Sequence, residues 1–146
     1  MRTYKQLTPE LLNENRSYVS NLNDIAGHVS PGNVARKNSF SDWAMLLAQY
    51  NLRIIVCIED ERVVGMGTLI VVKIPSRTKA YIEDVTVADD YRRIGVATGI
   101  AKELEALAGA LGAPVVYLTS SRPDAQVLWA KLGYEKGTTN AYFKKI

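Results

Sequence analysis

The chain has 146 residues, 47% of them apolar and 23% charged, with 18 Lys and Arg against 15 Asp and Glu for a net charge of +3. That length buries a core without disulfide or metal staples, and the single Cys57 has no partner for an internal bridge. The basic residues are scattered rather than gathered on an aromatic-interleaved face, no apolar run reaches membrane-spanning length, and residues 1–12 are too polar for a signal peptide, so a cytoplasmic protein without a nucleic-acid or membrane partner is expected.

Residues 3–7 read as a short first strand. Thr8, Pro9 and Glu10 then supply an N-cap, a proline at the first helical position and an early acid, and Leu11, Asn15, Tyr18, Leu22 and Ile25 fall on one face of the helix they start. Gly27, Pro31, Gly32 and Asn33 make residues 27–38 a loop, after which Ser39 and Asp42 cap a second helix carrying Phe40, Trp43, Leu46, Leu47 and Tyr50. Residues 53–59 and 62–73 are strands joined by an acidic turn, and Gly65 and Gly67 inside the second mark a bulge or a close backbone approach. Cys57, within the apolar run 54–58, reads as a buried, inert thiol. A turn at residues 75–78 leads into a strand over 81–87 rich in β-branched and aromatic residues. From Ile94 onward, Ala97, Ala101, Leu104, Leu107, Ala108 and Leu111 recur at helical spacing with Lys102, Glu103 and Glu105 opposite. A strand over 115–119, a helix over 123–132 and two short strands at 134–135 and 142–144 complete the order βααβββαβαββ. No repeat or composition shift divides the chain, so one domain over residues 1–146 is expected.

The junction at residues 85–98 carries the chemistry, because it turns a strand abruptly into a helix through a short, basic, glycine-containing loop. The first turn of a helix leaves backbone N–H groups unpartnered, and the macrodipole adds about half a positive charge there, so the main chain alone binds a phosphate. Gly95 and Ala97 carry little or no side chain and let phosphate oxygens approach the backbone.

The spacing of Arg92, Gly95 and Ala97 is similar to the Arg/Gln-x-x-Gly-x-Gly/Ala pattern of the GNAT superfamily of N-acetyltransferases. The run from Ala125 through Trp129 and Lys131 to Gly133 and Tyr134 resembles that family's later Ala-x-x-Phe-Tyr-x-Lys-x-Gly-Phe signature, and the element order resembles its fold throughout. The resemblance implies an α/β (α+β) architecture with a central mixed, mostly antiparallel sheet of six to seven strands flanked by about four helices. It also implies acetyl-CoA as co-substrate and no metal. Pantetheine would lie beside Val85, Thr86 and Val87, and the pyrophosphate on the loop of Arg92, Arg93, Ile94, Gly95, Val96, Ala97 and Thr98. Where family members often place a cofactor-contacting asparagine, Arg122 or Gln126 stands here, depending on how the loop is aligned, and Gln126 is taken as the contact. Dimers are frequent in the family, so a homodimer is an expectation on resemblance alone.

An alkyl ammonium of pKa about 10.4 is neutral in only about one part in a few thousand at pH 7, so presenting the free amine costs roughly 4–5 kcal/mol unless a base assists. Alternation along the strand puts Tyr81, Glu83, Val85 and Val87 on one side and Ile82, Asp84 and Thr86 on the other. In the family the side of Tyr81 and Glu83 faces acyl transfer, which makes Glu83 the candidate base and Tyr81 a substrate-pocket residue. The alternative for Glu83 is an ion pair with a nearby Lys or Arg, and Asp84 is expected to make structural hydrogen bonds on the opposite face. Where many members carry a tyrosine that protonates the leaving thiolate, this chain has Trp129, a second pocket residue, whose indole N–H donates a hydrogen bond but delivers no proton. Tyr81, Tyr117, Tyr134 and Tyr142 are substitutes, and a thiol of pKa about 8.5 also permits unaided departure. His28 falls in the loop that lines the acceptor pocket in the family and is expected to face solvent. The reading is transfer of an acetyl group from acetyl-CoA to a primary amine of a small molecule by direct attack on the thioester. Acetylation of a protein N-terminus or lysine, or a non-catalytic acyl-CoA sensor kept open by Trp129, are the alternatives.

Overall fold

The structure is a computed structural model that describes residues 1–29 and 37–146. The loop reading of Pro31, Gly32 and Asn33 lies outside the described residues. In chain order the elements are β1 (Thr3–Gln6), α1 (Pro9–Glu14), α2 (Tyr18–Ala26), α3 (Phe40–Leu47), β2 (Leu52–Glu59), β3 (Arg62–Ile74), β4 (Arg77–Val87), a 3-10 turn (Asp89–Tyr91), α4 (Val96–Ala110), β5 (Val116–Tyr117) and α5 (Pro123–Lys131). The strands form one sheet in the order β1-β2-β3-β4-β5, antiparallel except for the parallel β4–β5 pair. The mixed, mostly antiparallel α/β architecture is as expected.

Three expectations are corrected. Among the described residues the sheet has five strands rather than six to seven. Residues 134–135 and 142–144 form no strand, because every residue from 135 to 146 is exposed and so offers no face to bury, and a short hairpin without a buried face is not stable in water. Among the described residues five α-helices replace the expected four or so, since the first predicted helix is broken in two. Asn15 ends α1 by folding its side-chain amide back to donate to the Leu11 carbonyl at 3.0 Å, a competing local hydrogen bond of the kind that makes asparagine a poor helix-interior residue.

Alternation in the strands splits the apolar residues between two cores. Ile55, Cys57 and Leu69 pack with Ile100, Leu104 and Trp129 on the α4–α5 side, while Ile54, Val56 and Met66 pack with Leu12, Leu22 and Trp43 on the side of α1 to α3. Cys57 is fully buried and its thiol pKa is raised by burial, consistent with an inert sulfur. The caps at Thr8 and at Ser39 with Asp42 form as read from sequence. Among the described residues no helix is long and apolar enough to cross a membrane.

Two irregularities position the site. The first is the close seating of α4: a Cβ at Gly67 would stand 2.7 Å from Ile100 Cγ2 and one at Gly65 2.8 Å from Val96 Cγ1, so only glycine admits the helix at this depth. The second is a bulge in β4. Thr68 is paired with Glu83 and Met66 with Thr86, so Asp84 and Val85 together oppose Gly67, and Asp84 takes a left-handed φ of +51°. The extra residue resets the alternation. Ile82, Val85 and Val87 all join the α4-side core, whereas Thr86 turns to the other face and donates to the Ile25 carbonyl at 3.0 Å. Tyr81 and Glu83, which alternate with Ile82, therefore share a face with Thr86 and not with Val85 and Val87 as the unbroken period had implied.

Gly99 of α4 makes a third close contact, since a Cβ there would land on the Tyr4 ring. Gly99→Ala gains ~1 kcal/mol of helix propensity but overpacks the ring by ~1–3 kcal/mol, so it is expected to lower the unfolding free energy. In a Tyr4→Ala background, where the obstacle is gone, the same substitution is expected to stabilise. Denaturant unfolding of the four proteins measures this change of sign.

Candidate functional site

The site grows out of the way β4 hands the chain to α4. After Val87 the chain makes the single 3-10 turn, passes Arg93 with φ +62° and enters α4 through Gly95 at φ +88°. That left-handed backbone costs little for glycine, and no atom of the described residues lies within 4 Å of where a Cβ would point, so among them the helix entrance is bare. Among the described residues no side chain caps the N-terminus of this 15-residue helix. Its first N–H groups are therefore left for an outside acceptor.

Beside this entrance the sheet opens. β5 is paired with β4 only at Ala80 and Tyr81, so among the described residues the backbone of β4 beyond Tyr81 has no strand next to it on that side. The gap widens into a cleft of about 750 Å³. Glu83, Asp84, Val85, Thr86 and Val87 of β4 line it, with Arg92, Arg93, Gly95, Val96, Ala97 and Thr98 from the helix entrance and Trp129 from α5. Eleven of the fourteen residues singled out from sequence thus meet in one cavity, namely all of these except Asp84.

The other three stand apart. Ile94 is exposed, and its carbonyl accepts from Arg2 Nη1 at 2.8 Å. Gln126 lies outside the lining, and its side-chain amide donates to the Ser120 carbonyl at 2.8 Å, tying the start of α5 to the preceding loop. Tyr81 sits one strand step below the cleft and leans on Tyr117, ring centroids 5.7 Å apart.

Glu83 has neither an ion pair nor a hydrogen bond among the described residues, so the structural alternative of a nearby Lys or Arg partner is not met there. Burial, and then the neighbouring Asp84 charge, raise its carboxyl pKa above the ordinary glutamate value. Asp84 itself was expected to face away and to make structural hydrogen bonds. Instead the bulge turns it into the same cleft, with no hydrogen bond among the described residues.

Trp129 is buried, 8% exposed, and meets the Tyr134 ring edge-on at 5.3 Å, so it is both core and cavity wall. Tyr134, one of the suggested substitute acids, donates to Glu105 Oε1 at 3.0 Å, and its pKa is pushed strongly upward, by burial first and by Glu105 second. Neither it nor Tyr81, Tyr117 or Tyr142 lines the cleft. Among the described residues the tyrosine that does is Tyr91, in the 3-10 turn.

Sequence reasoning did not place Leu118, Thr119, Ser120 and Ser121, which form the wall opposite β4. The signal was there in the parallel strand-to-helix crossover, whose loop must lie at the same sheet end as that of β4. Arg122, left open from sequence, lines the cleft and pairs with Asp124 at 3.0 Å. His28 also lines it rather than facing away, with Nδ1 3.1 Å from Arg92 Nη2. Arg93 and Lys131 add cations that have no ion-pair partner among the described residues.

With this geometry in place, comparison with known proteins is direct. The family model described as "Acetyltransferase (GNAT) family" matches residues 15–134. Among curated proteins none matches the chain in sequence. Among solved structures, an acetyltransferase of Trypanosoma brucei is 19% identical with a TM-score of 0.79, covering 99% of this chain and 100% of its own. An aminoglycoside acetyltransferase from an uncultured soil metagenomic sample is 22% identical with a TM-score of 0.75, covering 100% and 99%. An aminoglycoside N-acetyltransferase in complex with CoA is 15% identical with a TM-score of 0.78, covering 99% and 95%. At such identities the structural likenesses speak for the fold. The family model spans most of the chain, and the chain belongs to the acetyltransferase (GNAT) family.

Proposed function

We propose that the protein transfers an acetyl group from acetyl-CoA to a primary amine of a small molecule. One observation carries this reading: the unpaired edge of β4 runs into the bare, uncapped entrance of α4 within a single cleft. An extended chain with amide groups fits the first part, since it can add to β4 as a strand would, and a pyrophosphate fits the second. Acetyl-CoA, when bound, supplies the acetyl thioester. Two of the similar structures are named as aminoglycoside acetyltransferases, one of them in complex with CoA, which supports an amine acceptor and this co-substrate.

The residues divide the work by position. The backbone of residues 85–87 would pair with the pantetheine amides, which suits Thr86, whose hydroxyl is already committed to Ile25. The amides of residues 93–98 would take the pyrophosphate, with Arg92 and Arg93 beside them. Gln126 would act from outside the lining by fixing the loop at Ser120. Glu83, on the cleft and without a partner among the described residues, would first take one proton from the ammonium, directly or through one water; the freed lone pair then attacks the carbonyl carbon, the C–S bond breaks to release the coenzyme A thiolate, and the second proton lost by the nitrogen passes to that thiolate or to solvent. Its raised pKa makes it a stronger base than an ordinary carboxylate. Trp129 would pack against the acyl and pantetheine region, and Tyr81 would border the acceptor. A buried tryptophan in place of a tyrosine favours a second reading, a domain that binds an acyl-CoA without turnover. Thiol release measured against a panel of amines separates the two.

Gly95→Val places a β-branched side chain at a left-handed φ and into the open space of the helix entrance. It is expected to weaken coenzyme A binding by calorimetry in a protein that remains folded, and unchanged affinity would refute the assignment of this loop.

For Glu83→Gln, turnover is expected to fall by roughly 10²–10⁴ with little change in coenzyme A affinity. The stability sign is also set. A carboxyl raised in the folded state contributes stability that is present below its unfolded pKa and lost as pH rises through the folded value. The glutamine variant does not suffer that loss. Its melting temperature should match the parent's in acid and exceed it at neutral pH, and the opposite trend would show that Glu83 is held by a favourable charge contact.

Trp129→Phe keeps the packing and is expected to hold turnover within roughly tenfold, while Trp129→Ala opens a cavity in the core and lowers both stability and binding. Trp129→Tyr raises turnover if an acid is missing. Coenzyme A binding without thiol release in parent and Tyr variant alike would establish the sensor reading.

A further inference from the structure

The Arg92 guanidinium, which opens the motif at the helix entrance, is already occupied. Its Nε donates to the Val87 carbonyl at 3.2 Å, and its Nη2 lies 3.0 Å from Asp89 Oδ1 and 3.1 Å from His28 Nδ1. These partners belong to three places: the end of β4, the 3-10 turn and the segment just after α2. We propose that Arg92 and His28 form a tether, with Arg92 acting as a positioning residue that fixes the helix-entrance loop against the end of α2 rather than as a cation reaching for phosphate. This rests on the coenzyme A reading above.

The proposal sets a requirement on His28. An arginine has N–H donors and no acceptor, so a hydrogen bond from Arg92 to Nδ1 requires that nitrogen to present its lone pair, against the pull of Asp89 Oδ1, which lies 3.6 Å from it. The tether therefore requires the tautomer with its proton on Nε2. His28 is itself held, since its backbone N–H donates to the Ile25 carbonyl at 3.1 Å. The same carbonyl accepts from Thr86 at 3.0 Å. The end of α2 is therefore stitched to the β4 strand end twice, once through Thr86 and once through Arg92, and the second stitch runs through the loop that presents the amides of residues 93–98. The planar fork of arginine serves three partners in fixed directions, which the single ammonium of lysine does not.

Calorimetry with coenzyme A, run beside thermal unfolding, tests the tether. Arg92→Lys keeps the charge and loses the fork, and is expected to weaken affinity by about three- to fivefold, the scale of a partly exposed polar contact. His28→Leu removes the acceptor and is expected to weaken it similarly. His28→Asn sets a carbonyl oxygen where Nδ1 stood and should restore binding to near the parent value, and the double variant Arg92→Lys with His28→Leu should bind no worse than Arg92→Lys alone. Equal affinity of His28→Leu and the parent overturns the tether. So does an Arg92→Lys protein that binds like the parent while Arg92→Gln does not, the pattern of a simple phosphate-contacting charge. Nitrogen NMR of the imidazole in the unliganded protein gives a readout that does not depend on coenzyme A. The Nε2–H tautomer is expected, and a proton on Nδ1 overturns the proposal even if coenzyme A binding fails and takes the functional reading with it.

Discussion

Because Gly65 and Gly67 present no side chain, α4 lies directly on β3, with methyl groups of Val96 and Ile100 filling the space where Cβ atoms would stand. That depth decides where the helix begins. A helix held further out would start above the sheet end, and its free amides would not reach the cleft beside β4. The same glycines bear on the neighbouring strand, for the bulge at Asp84 lies opposite Gly67, where the ladder has the least to hold it regular.

The bulge and the missing β5 partner act together. One extra residue turns Glu83 and Val85, two positions apart, to different faces, so the strand shows the α4-side core its apolar residues and the opposite face a carboxylate. β5 pairs for only two residues, and the β4 backbone above is left without a neighbour. A longer β5, continued alongside residues 82–87, would have closed this edge. The cleft exists where the ladder stops, at the C-terminal ends of two parallel strands, which is where open sheets bind ligands in general.

Much of this was legible in the chain. The helix caps, the glycine-bearing helix entrance and the division of apolar residues between strands and helices are local signals, each set by residues within one turn or one strand. What escaped was set by partners far away in sequence. The phase of residues 81–87 depended on Gly67 opposite, which no reading of β4 alone could include, and this displaced Val85 and Asp84 from their expected sides. The break at Asn15 was hidden because Leu11, Tyr18, Leu22 and Ile25 keep helical spacing across it. The two terminal strands were inferred from short aromatic runs, but a run of two or three residues specifies a strand only when a neighbouring surface takes its side chains. Arg92 and Gln126 were chosen for their place in a motif, and the structure shows them bonded to protein atoms that spacing could not name.

The two tryptophans of the chain fall one to each core. Trp43 is 2% exposed and donates from its indole to Asn23 Oδ1 at 3.1 Å between α2 and α3, whereas Trp129 stands on the cleft wall against Tyr134. With either tryptophan replaced by phenylalanine, the fluorescence of the other reports on its own layer alone. Emission from one chromophore reports the loosening of the layer under α2 and α3, emission from the other the layer under α4 and α5. Whether the sheet forces both to melt in a single cooperative step is written in the coincidence of the two signals.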